Sequence, residues 1–324
     1  MWQALVSTAR RLLNDVPRTL LRERLPPGLP RPPGRQRPPE YHALERVVLT
    51  DGVGRTLFEE YAAHRAGAAG EAETGWVLLG LREPREAVVL ATLPAGTQSD
   101  ASATHVQFNS AGQVIGSLIV RQQERRLRML GVVHTHPGSL RHPSEGDYRG
   151  DRDWIEQLVA RRYLRGEEGI FGIGTADATG KGKLFADQPA VHVQCLGELR
   201  FSWYSLRHGD AAYRPLAVGV TIGPDLARPL HEVWEAIEVH AERLERLYRQ
   251  QTGVTFGVVP EESGPWLAVN VPVAGTAAVI RVLLRPKEAR YFLVRNGEML
   301  AVDCLEDRVD RGVYLLLAEL AAQG

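Results

Sequence analysis

The sequence predicts an α/β fold with a mostly mixed sheet, followed by a second, smaller α+β unit. Three observations carry this expectation. Strand-like apolar runs alternate with segments of helical period from about residue 53 to residue 206. A composition shift at Gly223-Pro224-Asp225 separates that region from one more helix and a train of short strands. The length, 324 residues, suits two domains of roughly 150 residues each.

Taken in order, residues 2–25 have helical spacing, with Leu5, Leu12, Leu13, Val16, Leu20 and Leu21 near one face among many arginines. A short basic amphipathic helix is expected, able to lie on a membrane surface, on a partner or on its own chain. The stretch from Pro26 to Pro39 is half proline, which denies it ladder hydrogen bonds and makes it an extended tether. Residues 1–40 are therefore a helix plus linker.

Ordered structure is expected from about Tyr41. Helical spacing over 53–69 precedes strands at Trp76–Leu81 and Ala87–Leu93, split by the turn Arg82-Glu83-Pro84-Arg85. A polar stretch from Pro94 to Thr104 leads to a short strand at His105–Phe108, a helix over Gly112–Arg126 and a buried strand at Met129–His136. A helix over about Gly146–Arg162 and strands near Ile170–Thr175, Ala190–Leu196 and Phe201–Leu206 complete a domain spanning 41–222. From 223 to 324 the pattern is a helix, His231–Gln250, with Val233, Ile237, Val239, Leu244 and Leu247 on one side. Strands at Val254–Val259, Trp266–Val273, Ala277–Leu284, Tyr291–Val294 and Met299–Val302 follow, and a helix over 312–322 closes the chain.

Composition narrows the function classes. Lys+Arg and Asp+Glu each number 39, so the chain has no overall electrostatic reason to hold nucleic acid. The basic side chains are almost all arginine, the only lysines being Lys181, Lys183 and Lys287. Two cysteines, Cys195 and Cys304, cannot form a disulfide framework and lack the spacing of a zinc pair. No run approaches the ~18–20 apolar residues of a membrane span, and the start lacks a secretory apolar core. A cytoplasmic protein is expected.

The segment that carries chemistry is Gly131-Val132-Val133-His134-Thr135-His136-Pro137, followed by Ser144-Glu145-Gly146-Asp147. Alternate residues of a strand share a face, so His134 and His136 present two imidazoles about 7 Å apart along the chain, suited to one metal ion. Pro137 ends the strand. Ser144 is a good N-cap, and Asp147 lies in the first helical turn, where a carboxylate is welcome and can reach back to the strand end. Two histidines and one aspartate leave a fourth position open, the catalytic pattern for zinc. His142 precedes Pro143 and reads as solvent-facing or substrate-lining; His105, His192 and His240 read as ordinary surface or core residues.

The spacing His-x-His, seven residues, Ser, two residues, Asp resembles the signature of the JAMM (MPN+) metalloproteases, the JAB-domain isopeptidases. The element Glu73-Thr74-Gly75-Trp76-Val77-Leu78-Leu79-Gly80 resembles the family's upstream glutamate and strand, and Phe201–Leu206 with Tyr213-Arg214-Pro215-Leu216 its closing strand. The resemblance covers about residues 41–222 and implies a JAB/MPN, cytidine-deaminase-like mixed-sheet fold. It further implies Zn²⁺ on His134, His136 and Asp147, Glu73 as general base, and the Ser144 hydroxyl as a donor to the developing oxyanion. Glu71, two residues before Glu73, is the alternative base. Trp76 stands where the family often has a small residue.

Family members cut the peptide or isopeptide bond after a ubiquitin-like C-terminus. The short loops at Pro94–Thr104 and Gly138–Pro143 look like those of prokaryotic members, which process sulfur-carrier proteins or ubiquitin-like conjugates, some in bacterial conjugation operons. The implied partners are a ubiquitin-like protein or its conjugates and the activating and conjugating enzymes of such an operon. The C-terminal unit resembles the ubiquitin-conjugating-enzyme/RWD fold in element order; Cys304 lacks the surroundings of a thioester-forming residue, so a recognition module is expected. The competing readings are a metallopeptidase acting on an unrelated peptide and a non-catalytic MPN scaffold.

Overall fold

The computed structural model describes residues 42–68, 70, 72–96, 110–136, 140–160, 168–176 and 190–323. The helix expected over 2–25, the proline-rich tether, the strand expected at His105–Phe108, and Glu71 all lie outside the described residues.

The apolar runs pair into one large mixed sheet. Its strands are β1 (Arg46–Thr50), β2 (Gly75–Arg82), β3 (Glu86–Pro94), β4 (Arg128–Thr135), β5 (Glu168–Ala176), β6 (Val193–Leu196), β7 (Leu199–Arg207), β8 (Arg214–Pro215) and β9 (Ala217–Thr221). The order across the sheet is β6-β7-β5-β4-β2-β3-β1-β9, with β8 paired to β7. β4 and β5 run parallel, so the chain must cross over between them, and it does so through helix α3 (Glu145–Ala160). The first turn of that helix follows the end of β4, and its far end returns the chain to the sheet beside the start of β4.

Helices cover both faces, which is why β2 reads as a continuous buried run rather than an alternating one. On one face, α1 (Asp51–Ala66) packs Val53, Leu57, Phe58 and Tyr61 against Trp76, Leu78, Phe201 and Trp203. Thr50 caps α1, its hydroxyl accepting from the Val53 amide at 3.2 Å. On the other face, α2 (Ser110–Gln123) and α3 bring Ile115, Ile119, Trp154 and Ile155 onto Val77, Leu79, Leu93 and Phe171.

The remaining chain forms α4 (Arg228–His231), α5 (Trp234–Gln250), a five-stranded antiparallel meander and α6 (Val309–Gln323). The meander is β10 (Thr255–Val259), β11 (Trp266–Pro272), β12 (Val279–Arg285), β13 (Glu288–Arg295) and β14 (Glu298–Val302). The β13–β14 turn is Asn296-Gly297, with φ of 50° and 84°, the left-handed pair a two-residue hairpin needs. Trp234, Ile237, Leu244 and Leu247 of α5 join the same continuous core as Leu93 and Ile115. Gly116 makes this close approach of α2 and α5 possible, because a Cβ there would lie 2.8 Å from the Trp234 ring. Each such buried side chain contributes roughly 1.5–3 kcal/mol, so one apolar helix face suffices to hold the meander against α2.

The expected α/β class, mixed sheet and second smaller sheet are all present. Several details differ from expectation. β1 and β9 were not anticipated; both pair in parallel at a sheet edge and are too short to show a period. The helix expected over His231–Gln250 begins at Trp234, since the backbone leaves helical geometry at Val233 (φ −114°, ψ 13°), and a separate short helix, α4, ends at His231. Val239, expected on the core side of that helix, is exposed. Among the described residues no helix is long and apolar enough to cross a membrane.

Candidate metal centre

The centre sits where the end of β4, the start of β2 and the first turn of α3 meet. His134 and His136, alternating on β4, project their imidazoles from the face that α2 and α3 cover. Gly75 lies opposite His134 in the antiparallel register, so no side chain from β2 crowds that ring. The ladder continues outward: the Thr135 amide donates to the Thr74 carbonyl at 2.8 Å, and the Thr74 amide to the Thr135 hydroxyl at 2.9 Å. Glu73, one residue further, therefore falls beside His136 on the same face. On the other side the His136 amide donates to Gly174 of β5 at 2.8 Å, fixing the strand end from both flanks.

Asp147 arrives from α3, held by a reciprocal cap. The Ser144 amide donates to Asp147 Oδ2 at 2.6 Å, while the Asp147 amide donates to Ser144 Oγ at 3.1 Å. In this bond Ser144 Oγ accepts, which leaves its own proton free to donate elsewhere. The Asp147 carboxylate faces both imidazoles, Oδ1 at 3.3 Å from His134 Nε2 and Oδ2 at 3.2 Å from His136 Nε2. The two Nε2 atoms are 3.0 Å apart.

Those distances decide whether a metal fits. Donors about 2.0–2.1 Å from a tetrahedral ion stand about 3.3 Å from one another. The three separations, 3.0, 3.2 and 3.3 Å, are close to that edge length, with the carboxylate meeting each ring through a different oxygen. His136 Nδ1 lies 2.9 Å from the Leu140 carbonyl, which can only accept, so Nδ1 carries the proton and Nε2 keeps its lone pair. Two nitrogen acceptors and a carboxylate converging this closely are mutually unfavourable unless a proton or a cation lies between them. The donor set of two imidazoles and a carboxylate, with room for a further ligand, suits zinc.

Electrostatics agree. Burial works against ionisation of Asp147, but His134, His136 and the Ser144 amide outweigh it and hold the carboxylate well below the usual range. Burial likewise pulls His134 down, and Asp147 reverses this to leave its pKa raised. Glu73 is buried, 7% exposed, and burial pushes its pKa up against the pull of His134 and His136, with Asp147 adding to the rise. A dication at the centre would reverse that balance and favour the Glu73 carboxylate.

All five residues expected from the sequence, Glu73, His134, His136, Ser144 and Asp147, thus meet in one place. Trp76 does not disturb the centre, because it points to the opposite face, stacks edge-on against Phe201 and donates its indole N–H to Glu60 at 2.7 Å. His142 is exposed, in line with its expected solvent-facing placement, and its Nδ1 lies 3.0 Å from the Tyr204 hydroxyl. His240 is buried, with Nε2 2.9 Å from the Arg285 carbonyl.

Two residues near the ligands escaped sequence reasoning. Asp151 lies one helical turn beyond Asp147, and burial pushes its pKa up to about 7 even though the Tyr213 hydroxyl donates to it at 2.6 Å. The i, i+4 spacing from Asp147 was the available signal for Asp151. Tyr213 comes from a distant loop, and nothing local marks it.

No curated protein matches the chain. Among solved structures, the chain is similar to the solution structure of protein DSY2949 from Desulfitobacterium hafniense, at 16% identity over 55% of this chain and 95% of that one, with a TM-score of 0.35. Residues 55–174 match the family model described as prokaryotic homologs of the JAB domain, a span that holds Glu73, both histidines, Ser144 and Asp147. The likeness to the prokaryotic homologs of the JAB domain is thus confined to residues 55–174, which contain the whole candidate centre.

Proposed function

We propose that the protein is a zinc-dependent peptidase or isopeptidase that hydrolyses the amide bond after the C-terminus of a ubiquitin-like or sulfur-carrier protein. The observation that carries this reading is the triangle of His134 Nε2, His136 Nε2 and the Asp147 carboxylate, with Glu73 buried beside it. The JAB family includes hydrolases, and this chain retains the full set of polar residues that such chemistry uses.

The chain's own residues would divide the work as follows. His134, His136 and Asp147 hold the ion, the Leu140 carbonyl fixing the His136 tautomer and the Ser144 amide fixing the carboxylate. Zinc held there supplies a water of lowered pKa and an electrophilic contact for the scissile carbonyl. Glu73 takes the proton of the attacking water and delivers it to the departing amine; the held cation keeps it an ionised acceptor, and its burial opposes that pull. Ser144, whose hydroxyl proton is not used in the cap, donates to the oxyanion. The described residues of the centre hold no cysteine, so a covalent acyl-enzyme on a thiol is not part of the scheme.

The substrate tail would be narrow and extended, as a glycine-terminated modifier supplies, and the activating and conjugating enzymes of such a modifier are the expected partners. The test is incubation of the zinc-loaded chain with fusions whose ubiquitin-like part ends in Gly-Gly, with and without a chelator. Chelator-sensitive release of the modifier supports the reading. Bound zinc without cleavage of any fusion points to another peptide substrate, and a chain that binds no zinc is a scaffold.

A further inference from the structure

The His136 ring is set by a carbonyl on a loop, and the loop needs its own anchor. Leu140, whose carbonyl accepts from His136 Nδ1 at 2.9 Å, lies on the segment 140–144, outside any helix or strand. A backbone acceptor on a free loop would not hold a ring to the tolerance a metal site needs. The anchor is on β7. Tyr204 Oη donates to the Arg141 carbonyl at 2.9 Å, and it lies 3.0 Å from His142 Nδ1.

Hydrogen-bond bookkeeping fixes the directions. A phenol has one proton, and a carbonyl can only accept, so that proton goes to Arg141. Tyr204 must then accept from His142, which places a proton on His142 Nδ1. One hydroxyl thereby holds two consecutive residues, both adjacent to or one removed from Leu140.

Tyr204 is itself immobile. It is 4% exposed, pairs across the sheet with Phe171 of β5, and contacts the rings of Tyr213 and His192 at centroid distances of 6.2 and 5.7 Å. The path from rigid sheet to metal ligand is short: β7, the Tyr204 hydroxyl, the 140–142 backbone, the Leu140 carbonyl, the His136 ring.

We propose that Tyr204 is a positioning residue for the metal centre, its hydroxyl clamping Arg141 and His142 so that the Leu140 carbonyl orients His136. This rests on the reading of His136 as a metal ligand. The experiment measures zinc affinity by chelator competition, and the visible spectrum of the cobalt-substituted protein, for the wild-type chain, Tyr204→Phe, His142→Ala and Trp203→Phe.

Tyr204→Phe keeps the packed ring and removes both bonds, so zinc should bind roughly 10–100-fold more weakly, the range typical of lost outer-shell support. The cobalt spectrum should change in position or intensity. His142→Ala removes one bond of two and should weaken zinc less than Tyr204→Phe. Trp203→Phe lies on the neighbouring residue but in the opposite core, against Val133 and Gly172. It should lower stability and leave both metal readouts at wild-type values.

Wild-type zinc affinity and spectrum in Tyr204→Phe would overturn the proposal, as would equal weakening in Trp203→Phe. Should Tyr204→Phe fail to fold, unchanged affinity in His142→Ala overturns it in the same way. A wild-type chain without zinc would instead overturn the metal reading on which the proposal stands.

Discussion

Replacing Glu73 by glutamine separates holding the metal from using it. Glu73 lies before β2, only 7% exposed, and its proton affinity is raised by burial while His134 and His136 pull the other way. Glutamine keeps the shape of the side chain and removes only the ionisable group. The Thr74–Thr135 ladder that places residue 73 is made by backbone and a threonine hydroxyl, so it survives the change. Zinc should still bind one to one. Since folding disfavours the ionised Glu73, stability is lost as pH rises above the ordinary value of 4.5, and the glutamine variant should melt no lower than wild type at neutral pH without metal. A lost general base costs about 10²–10⁴ in rate, or roughly 2.7–5.5 kcal/mol of activation free energy. The assay pairs zinc content with the rate of modifier release from a Gly-Gly fusion. A variant with wild-type rate would show that another group is the base, and one without zinc would make Glu73 a ligand.

Other consequences can be checked independently. Glu168 is buried and accepts from Arg214 at 2.5 Å and from the Leu44 amide at 2.8 Å, with Arg82 3.7 Å away. Glu168→Gln removes the charge and turns one acceptor into an NH₂ group facing a donor, and should destabilise by about 3 kcal/mol, the low end for a broken buried pair because Arg214 is half-exposed; urea unfolding reads it, and a loss below about 1 kcal/mol would contradict it. Gly131→Ala would place a Cβ 1.7 Å from the Ile170 carbonyl, forcing β4 from β5, so the variant should be insoluble or lack native circular dichroism. His231 lies between two acceptors, Glu60 at 2.5 Å on Nδ1 and the Thr92 carbonyl at 2.6 Å on Nε2, so the bonded ring is the imidazolium. Burial lowers its pKa, but Glu60, Thr92 and Asp225 outweigh burial and raise it; burial in turn pushes Glu60 up, and His231, Trp76 and Arg228 outweigh that and hold it down. The pair therefore contributes fully between about pH 4.5 and 6.5 and fades as pH rises through the raised value. The gap in melting temperature between wild type and His231→Gln should narrow from pH 6 to pH 9, and a widening gap would refute the assignment.

The metal ligands were legible because their chemistry is local. His134 and His136 declare a shared face by alternation, and Ser144 with Asp147 declares a capped helix by spacing. Glu73 was legible only through family resemblance, since its placement depends on the register of β2 against β4, a long-range fact. For the same reason Tyr204 and Tyr213 were invisible: each acts through partners about 60 residues away in sequence. β1 and β9 carry too few residues to show a period; β1, between β3 and β9, is buried on both faces, and the edge strand β9 is half-buried to exposed. The break between α4 and α5 sits at Val233, and the hydrophobic period of the segment does not mark it.

The central claim is that two imidazoles and one carboxylate share a zinc ion. X-ray absorption at the zinc edge of the purified chain tests it most directly. The predicted signal is about one zinc per chain with nitrogen and oxygen neighbours at ~2.0–2.2 Å and an imidazole signature that disappears, with the metal, in His134→Ala and Asp147→Ala. A chain that takes up no zinc, or a sulfur shell near ~2.3 Å, would contradict it.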